Sequence, residues 1–268
     1  ITVEKPLETW GIFGDSFANG ESDMTHHLSH LGLTQYLMDD GHFVINFSRQ
    51  GNSNDGMIQD FGFNIRQNEH IKWDMAIVFR TEPIRENESW IDCLRIVGIR
   101  KVESAMARRL YSQLKETVRP FSIPIYLVGG TVDIPEPKEV EKFGFKCACQ
   151  SLVNLCVNGK HTVEEPVTNF VFPIGTGWRF DDAPNSFFNK ANKIIKGTND
   201  KEHFLKLIEM GEDRYKLMED NPEYFAPKEN LEGKDHPSVH GPPDNPVDHP
   251  NRYAYKKLFN HLKSEGIV

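Results

Sequence analysis

The first half of the chain alternates short apolar runs with longer segments in which apolar residues recur every three or four positions. The short runs have the length of strands, and the longer segments have the period of amphipathic helices. The pattern predicts strands at 9–14, 42–48, 73–79 and 123–128, and helices at 26–39, 53–67 and 97–118. Strands and helices that alternate in this way are typical of a parallel sheet with crossover helices on both faces.

The second half of the chain has a less regular pattern. From 132 to about 180 the period is lost, and we interpret this stretch as an insertion or as the region of a fifth strand. Helices are predicted at 203–218 and 251–263, and between them 221–250 is rich in Pro, Asp, His and Gly. We therefore expect one α/β domain, a three-layer sandwich around a parallel, flavodoxin-like sheet of about five strands, with an irregular insertion at about 132–250.

Composition narrows the class of protein. A chain of 268 residues with 38% hydrophobic residues can fill one substantial core. The net charge of −8 argues against a nucleic acid as the partner, because phosphate backbones are bound by clustered Lys and Arg. No apolar run approaches the roughly 18 residues of a membrane span, and no secretory signal is visible. We expect a soluble protein, in the cytoplasm or a similar compartment.

The four cysteines are too few for a disulfide scaffold in a chain of this length, which favours free thiols in a reducing compartment. Cys147, Cys149 and Cys156 lie close together and precede His161. Their spacing lacks the two-residue gaps with which paired thiolates usually hold zinc. The sequence thus predicts neither a metal site nor a cofactor.

A candidate nucleophile follows the first predicted strand, in the tripeptide Gly14-Asp15-Ser16. A catalytic serine needs an accessible position, a base and amides that hold the oxyanion. Gly14 permits a sharp turn, and Ser16 falls at the carboxyl edge of the sheet, where open α/β sheets bind ligands. The structural alternative is a plain strand-to-helix turn in which Asp15 or Ser16 caps the helix.

Three features together resemble the SGNH (GDSL) hydrolases: the Gly-Asp-Ser turn, Gly51 after the second strand, and a His-Pro pair shortly before the last helix. The resemblance in order and spacing covers most of the chain. In that family the serine attacks an ester carbonyl, and a C-terminal Asp-x-x-His block supplies the base and its orienting acid. The resemblance implies an SGNH-hydrolase-like fold with Ser16 as nucleophile and His249 as base. His236, in a second Asp-His-Pro stretch, is the reserve candidate.

The orienting acid departs from the family pattern, because Pro246 stands three residues before His249. Asp244 and Asp248 are both candidates for this role. We favour Asp244 slightly, since neighbouring side chains such as those of Asp248 and His249 tend to diverge in an extended loop.

The oxyanion hole departs from the family as well. Gly51 fits the role of the amide donor after strand two, whereas Thr81 stands where the family has a donor Asn. Thr81 remains a candidate donor through its hydroxyl, and Asn52 and Asn54 are further candidates. Arg80 is a candidate for binding an anionic substrate group, with a surface ion pair to a nearby glutamate as the alternative.

These residues lead to one main hypothesis and two alternatives. The main hypothesis is a serine esterase or carbohydrate O-acetyl esterase that uses a Ser-His(-Asp) mechanism on a small-molecule or glycan ester. The first alternative is a catalytically impaired SGNH-like module that binds a ligand or an assembly partner, as the missing Asn suggests. The second is a transferase that passes the acyl group to a sugar. The oligomeric state stays open.

Overall fold

A five-stranded parallel sheet forms the centre of this computed structural model, which describes residues 8–22, 28–83, 98–168, 196, 200–226 and 249–268. The seven strands in these ranges are β1 (Thr9–Phe13), β2 (Glu21–Ser22), β3 (Leu28–His30), β4 (Phe43–Asn46), β5 (Met75–Arg80), β6 (Ile125–Gly129) and β7 (Lys146–Cys149). The sheet has the order β4-β1-β5-β6-β7, and β2 and β3 form a small antiparallel pair beside it.

The helices in the described ranges follow the strands in the alternation that the sequence predicts. They are α1 (Ser16–Asn19), α2 (Leu33–Asp39), α3 (Asn54–Gln67), α4 (Ile99–Val118), α5 (Pro137–Lys142), α6 (Leu152–Asn158), α7 (Lys201–Glu219), α8 (Pro222–Phe225) and α9 (Arg252–Ser264). None of these helices is both long and apolar enough to cross a bilayer.

Side chains that alternate along the strands divide the core into two layers. Ile77 and Phe79 of β5 pack in one cluster with the buried faces of α2, α6 and α9. Ala76 and Val78, which point to the opposite face, pack with α3, α4 and α5. Because both faces are covered, the central strands are almost continuously apolar. The predicted three-layer α/β fold around about five parallel strands is confirmed.

The order of the strands in the sheet indicates where a ligand-binding site is expected. Numbered along the chain, the five sheet strands have the order 2-1-3-4-5, in which the direction of winding reverses between β1 and β5. In such sheets ligands bind at this switch point, outside the carboxyl ends of the strands. β1 ends at Phe13 and β5 at Arg80, so Ser16 and Thr81 follow the two strands that flank the switch point.

Two predicted elements differ in the structure. The helix predicted at 26–39 begins only at Leu33, because Gly32 takes a φ of 60° and Leu28–His30 pairs as a strand with β2. The stretch 132–250, expected as an irregular insertion, contains more regular structure than the predicted helix at 203–218, which is α7: it also supplies the fifth sheet strand, β7, and the helices α5, α6 and α8. The apolar run 151–157 is helical, since Ser151 caps the Asn154 amide and Gly159 ends the helix in the left-handed conformation.

Candidate active site

Two effects build the Gly14-Asp15-Ser16 turn, the close packing at Gly14 and a helix cap at Asp15. A Cβ on Gly14 would lie 2.8 Å from the Cβ atoms of both Ala18 and Phe79, so no larger residue fits there. Asp15 is the N-cap of α1, and its Oδ1 accepts a hydrogen bond from the Phe17 amide at 3.0 Å. Ser16 is therefore the first helical residue, at the carboxyl edge of the sheet.

The structure brings Ser16 and His249 together from opposite ends of the chain. Their Oγ and Nε2 atoms are 2.8 Å apart, across a separation of 233 residues. The imidazole ring also packs against Phe17, with ring centroids 5.5 Å apart. A hydrogen bond of this length is what a general base needs in order to take the proton of a serine hydroxyl.

His249 is carried on a segment that Asn251 anchors. The Asn251 side chain accepts hydrogen bonds from the amides of Tyr253 and Ala254, which makes it the N-cap of α9. Its Nδ2 donates to the carbonyls of Glu223 and Ala226. Asn251 was not among the predicted site residues, although an Asn directly before an apolar helical period is a recognisable capping signal.

Thr81 has a different environment from the one expected of an oxyanion donor. Its Oγ1 lies 2.7 Å from Oδ2 of Asp15 and 2.8 Å from Oε2 of Glu82, and both carboxylates are buried. Thr131 also approaches Asp15, with Oγ1 at 3.5 Å from the same oxygen. The Thr81 hydroxyl is therefore engaged with buried carboxylates next to the Gly14-Asp15-Ser16 turn.

The two candidate asparagines are also engaged. Asn54 is buried and forms two hydrogen bonds with the Thr81 backbone. Its Nδ2 donates to the Thr81 carbonyl at 3.0 Å, and its Oδ1 accepts from the Thr81 amide at 3.1 Å. Asn52 donates from Nδ2 to Asp60 at 2.9 Å. Asn54 thus holds the loop after β5 against the start of α3.

Gly51 lies in the loop after β4, which is hydrogen-bonded to the Gly14-Asp15-Ser16 turn. The Arg49 amide donates to the carbonyl of Gly14 at 3.2 Å, which ties this loop to the end of β1. Gly51 is exposed and takes a φ of 71°, a left-handed conformation that favours glycine.

Arg80 lies inside the protein. Its side chain is only 2% exposed, and Nη1 donates to the Asp133 carbonyl at 2.6 Å. Asp133 in turn pairs through Oδ1 with Arg214 of α7 at 2.7 Å, and this pair is buried on both sides. In this arrangement Arg80 connects the loops after β5 and β6, and it is buried, unlike either sequence alternative of an anion-binding side chain or a surface ion pair with a nearby glutamate.

The candidates for the orienting acid, Asp244 and Asp248, lie outside the described residues, as does the reserve base His236. Their roles stay predictions. Within the ranges that the structure describes, no group of three His, Cys, Asp or Glu side chains is arranged to hold a metal ion.

Comparison with known proteins gives distant similarities to esterases of solved structure. The chain is similar to AlinE4, a SGNH-hydrolase family esterase, at 21% identity and a TM-score of 0.37, over 53% of this chain and 75% of that one. It is also similar to the psychrotrophic esterase EstA from Pseudoalteromonas sp., at 12% identity and a TM-score of 0.37, over 96% and 95% of the two chains. The lipase/acylhydrolase from Enterococcus faecalis gives 11% identity and a TM-score of 0.37, over 97% and 95%. No protein-family model matches the chain, and no curated protein matches it.

Proposed function

We propose that this protein is a serine ester hydrolase in which Ser16 is the nucleophile and His249 the general base. The observation that carries the proposal is the 2.8 Å separation of Ser16 Oγ and His249 Nε2. The location adds support, because Ser16 follows β1 at the switch point of the sheet, where α/β proteins of this strand order bind their ligands.

In the proposed reaction, Ser16 Oγ forms a bond to the carbonyl carbon of an ester while its proton passes to Nε2 of His249. The tetrahedral intermediate then expels the alcohol, which takes that proton from the imidazolium, and an acyl-serine remains. A water molecule attacks the acyl-serine with the same histidine as base, and the carboxylic acid leaves as Ser16 regains its proton. Nε2 accepts a proton only if the other ring nitrogen, Nδ1, carries the neutral ring's hydrogen, and we propose Asp244 or Asp248 as the acceptor that fixes this tautomer.

For the oxyanion hole we propose the backbone amides of Ser16 and Gly51. Ser16 is the first residue of α1, so its amide has no partner within the helix. The side chains of Thr81, Asn52 and Asn54 have other hydrogen-bond partners, which argues against a third donor from any of them. One such donor contributes about 3 kcal/mol to the stabilisation of the transition state, so we expect a slow enzyme.

The substrate that we propose is an uncharged small-molecule or glycan ester, including an O-acetyl group on a sugar. The side chain of Arg80 is engaged with Asp133, so it offers no support for an anionic substrate group. A sugar hydroxyl in place of water would give acyl transfer by the same steps.

Hydrolysis of p-nitrophenyl acetate tests the proposal. We expect the full chain to release p-nitrophenol in excess over the enzyme, and Ser16→Ala to remove that activity while Ser264→Ala, a change at an exposed serine at the end of α9, leaves it unchanged. A fluorophosphonate probe should label the peptide that contains Ser16. Equal rates for the wild type and Ser16→Ala would overturn the proposal.

A second candidate function is a binding or assembly module that has kept the fold and lost efficient catalysis. It is favoured by the engagement of the Thr81 hydroxyl with buried carboxylates, since that side chain stands where the family has a donor. This alternative predicts that Ser16 resists the fluorophosphonate and that no ester is turned over, while the protein still binds an acetylated oligosaccharide in calorimetry.

A further inference from the structure

A carboxylate and a guanidinium join the chain segments that carry Ser16 and His249. Oε2 of Glu21 accepts hydrogen bonds from the Arg252 backbone amide at 2.7 Å and from its Nε at 2.8 Å, and Oε1 accepts from Nη2 at 3.1 Å. Glu21 is 2% exposed, and the Arg252 side chain is 22% exposed. Bidentate hydrogen bonds between a guanidinium and a carboxylate are among the strongest and most directional in proteins, because both groups are charged.

The location of this pair in the chain gives it a geometric consequence. Glu21 stands five residues after Ser16, and Arg252 stands three residues after His249. Only the remaining three residues of α1 and Gly20 separate Glu21 from Ser16, and only Pro250 and Asn251 separate Arg252 from His249. A shift of one partner against the other is therefore transmitted to the Ser16–His249 distance over a few residues.

Further hydrogen bonds hold the N-terminal end of α9 in place. Arg252 is the first residue of this helix, so its amide is one of those without an intrahelical partner, and the partial positive charge there favours the Glu21 carboxylate. Tyr36 donates from its hydroxyl to the Arg252 carbonyl at 2.9 Å. Tyr255 of the same helix donates to the carbonyl of Phe17, the residue after the nucleophile, at 3.0 Å.

We propose that Glu21 and Arg252 are positioning residues, which act through the chain to hold His249 at hydrogen-bonding distance from Ser16. This inference rests on the proposed function and adds to it a pair of residues outside the nucleophile, the base and the oxyanion donors. The physical reason is the steep dependence of catalysis on alignment, in which a misplacement of 1 Å can cost about 100-fold in rate.

The docking of α9 and the position of its N-terminal end depend on different contacts. The buried face of α9, formed by Ala254, Tyr255, Leu258 and Leu262, packs in the core independently of Arg252. Loss of the Glu21–Arg252 pair should therefore leave the helix docked and release its N-terminal end, where His249 is attached. An ion pair at the other end of α9, between Lys263 and Asp40 at 2.7 Å, supplies a control on the same helix.

The test compares kcat and KM of the full chain for p-nitrophenyl acetate at a temperature where circular dichroism finds every variant folded. We expect Arg252→Met and Glu21→Gln to lower kcat by about 10- to 100-fold with KM changed less than about twofold. Arg252→Lys should recover part of the loss in kcat, because it keeps the positive charge but cannot form the bidentate hydrogen bonds. Lys263→Met should match the wild type. Unchanged kcat in folded Arg252→Met and Glu21→Gln would overturn the inference.

Crystal structures of the wild type and Arg252→Met give a readout that does not need turnover. A longer Ser16 Oγ–His249 Nε2 separation in the variant supports the inference, and an unchanged separation contradicts it. If the wild type hydrolyses no ester and the variant still shows the longer separation, the proposed function fails while the positioning effect stands.

Discussion

The hydroxyl oxygen of Thr81 lies 2.7 Å from a carboxylate oxygen of Asp15, the residue directly before the candidate nucleophile. This contact joins the loops that follow β1 and β5, the two strands on either side of the switch point. The Asp15 carboxylate also accepts a hydrogen bond from the Phe17 amide. It is fully buried and thus has a donor from the loop after β1 and a donor from the loop after β5. A side chain in the position of an expected oxyanion donor therefore supports the turn that displays Ser16.

Replacement of Thr81 tests this support. Thr81→Val keeps the shape of the side chain and removes the hydroxyl, which leaves the buried carboxylates of Asp15 and Glu82 without that contact. We expect the free energy of unfolding in urea to fall by about 1–3 kcal/mol, and kcat to fall as the nucleophile turn loosens. Thr81→Ser retains the hydroxyl and should remain close to the wild type. A valine variant as stable and as active as the wild type would contradict this role.

The buried ion pair between Asp133 and Arg214 should contribute strongly to stability when one partner alone is removed. Arg214→Met leaves the Asp133 carboxylate buried without its counter-charge, and we expect a loss of about 3–5 kcal/mol in urea unfolding. On the same helix, Lys206 pairs with Glu165 at the surface, and Lys206→Met should change stability by less than about 1 kcal/mol. Similar losses for the two variants would show that burial of the pair has no effect.

Stability should depend on pH through His161. Burial, followed by the proximity of His261, lowers the pKa of His161 below its ordinary value of 6.5. The unfolded chain then takes up this proton at a higher pH than the folded one, so the contribution to the unfolding free energy is complete above 6.5 and declines as the pH falls through the folded pKa.

We expect His161→Gln to lose less stability than the wild type between about pH 8 and about pH 5.5, measured by urea unfolding at each pH. His70→Gln, a change at an exposed histidine beyond the end of α3, serves as the control and should keep the wild-type dependence. Parallel pH profiles for the wild type and His161→Gln would refute the expectation.

Three thiols should be unreactive in the folded protein. Burial raises the pKa of Cys147 and of Cys156 to about 12, and raises the pKa of Cys149 well above its ordinary value. Because the thiolate is the reactive form, we expect iodoacetamide at about pH 8 to leave these three residues unmodified in the native chain. Peptide mass spectrometry should find all three modified in guanidinium chloride. Rapid native modification of Cys149 would contradict this expectation.

Elements specified by neighbouring residues were predictable from the sequence. The apolar run at 73–79 indicated a strand covered on both faces, and β5 occupies Met75–Arg80. A helix was predicted at 53–67, and α3 occupies Asn54–Gln67 with Ser53 as its N-cap, whose side chain accepts a hydrogen bond from the Gly56 amide. The fifth strand, Lys146–Cys149, was not located, because its four residues are too few to show a period and its pairing depends on β6.

In the candidate site, too, local features were predictable from the sequence and long-range contacts were not. The Gly14-Asp15-Ser16 turn was visible in the sequence, because the cap at Asp15 and the contact of Gly14 with Ala18 involve residues only a few positions away. The 2.8 Å approach of His249 depends on packing across 233 residues, which no local pattern records. The same holds for Thr81, a candidate oxyanion donor, and for Arg80, a candidate for binding an anionic group, whose side chains contact Asp15 and Asp133. The sequence by itself thus determined which serine stands at the strand-to-helix turn as the candidate nucleophile, and only the tertiary structure decided which side chains reach it, since long-range packing directs each polar group to its partner.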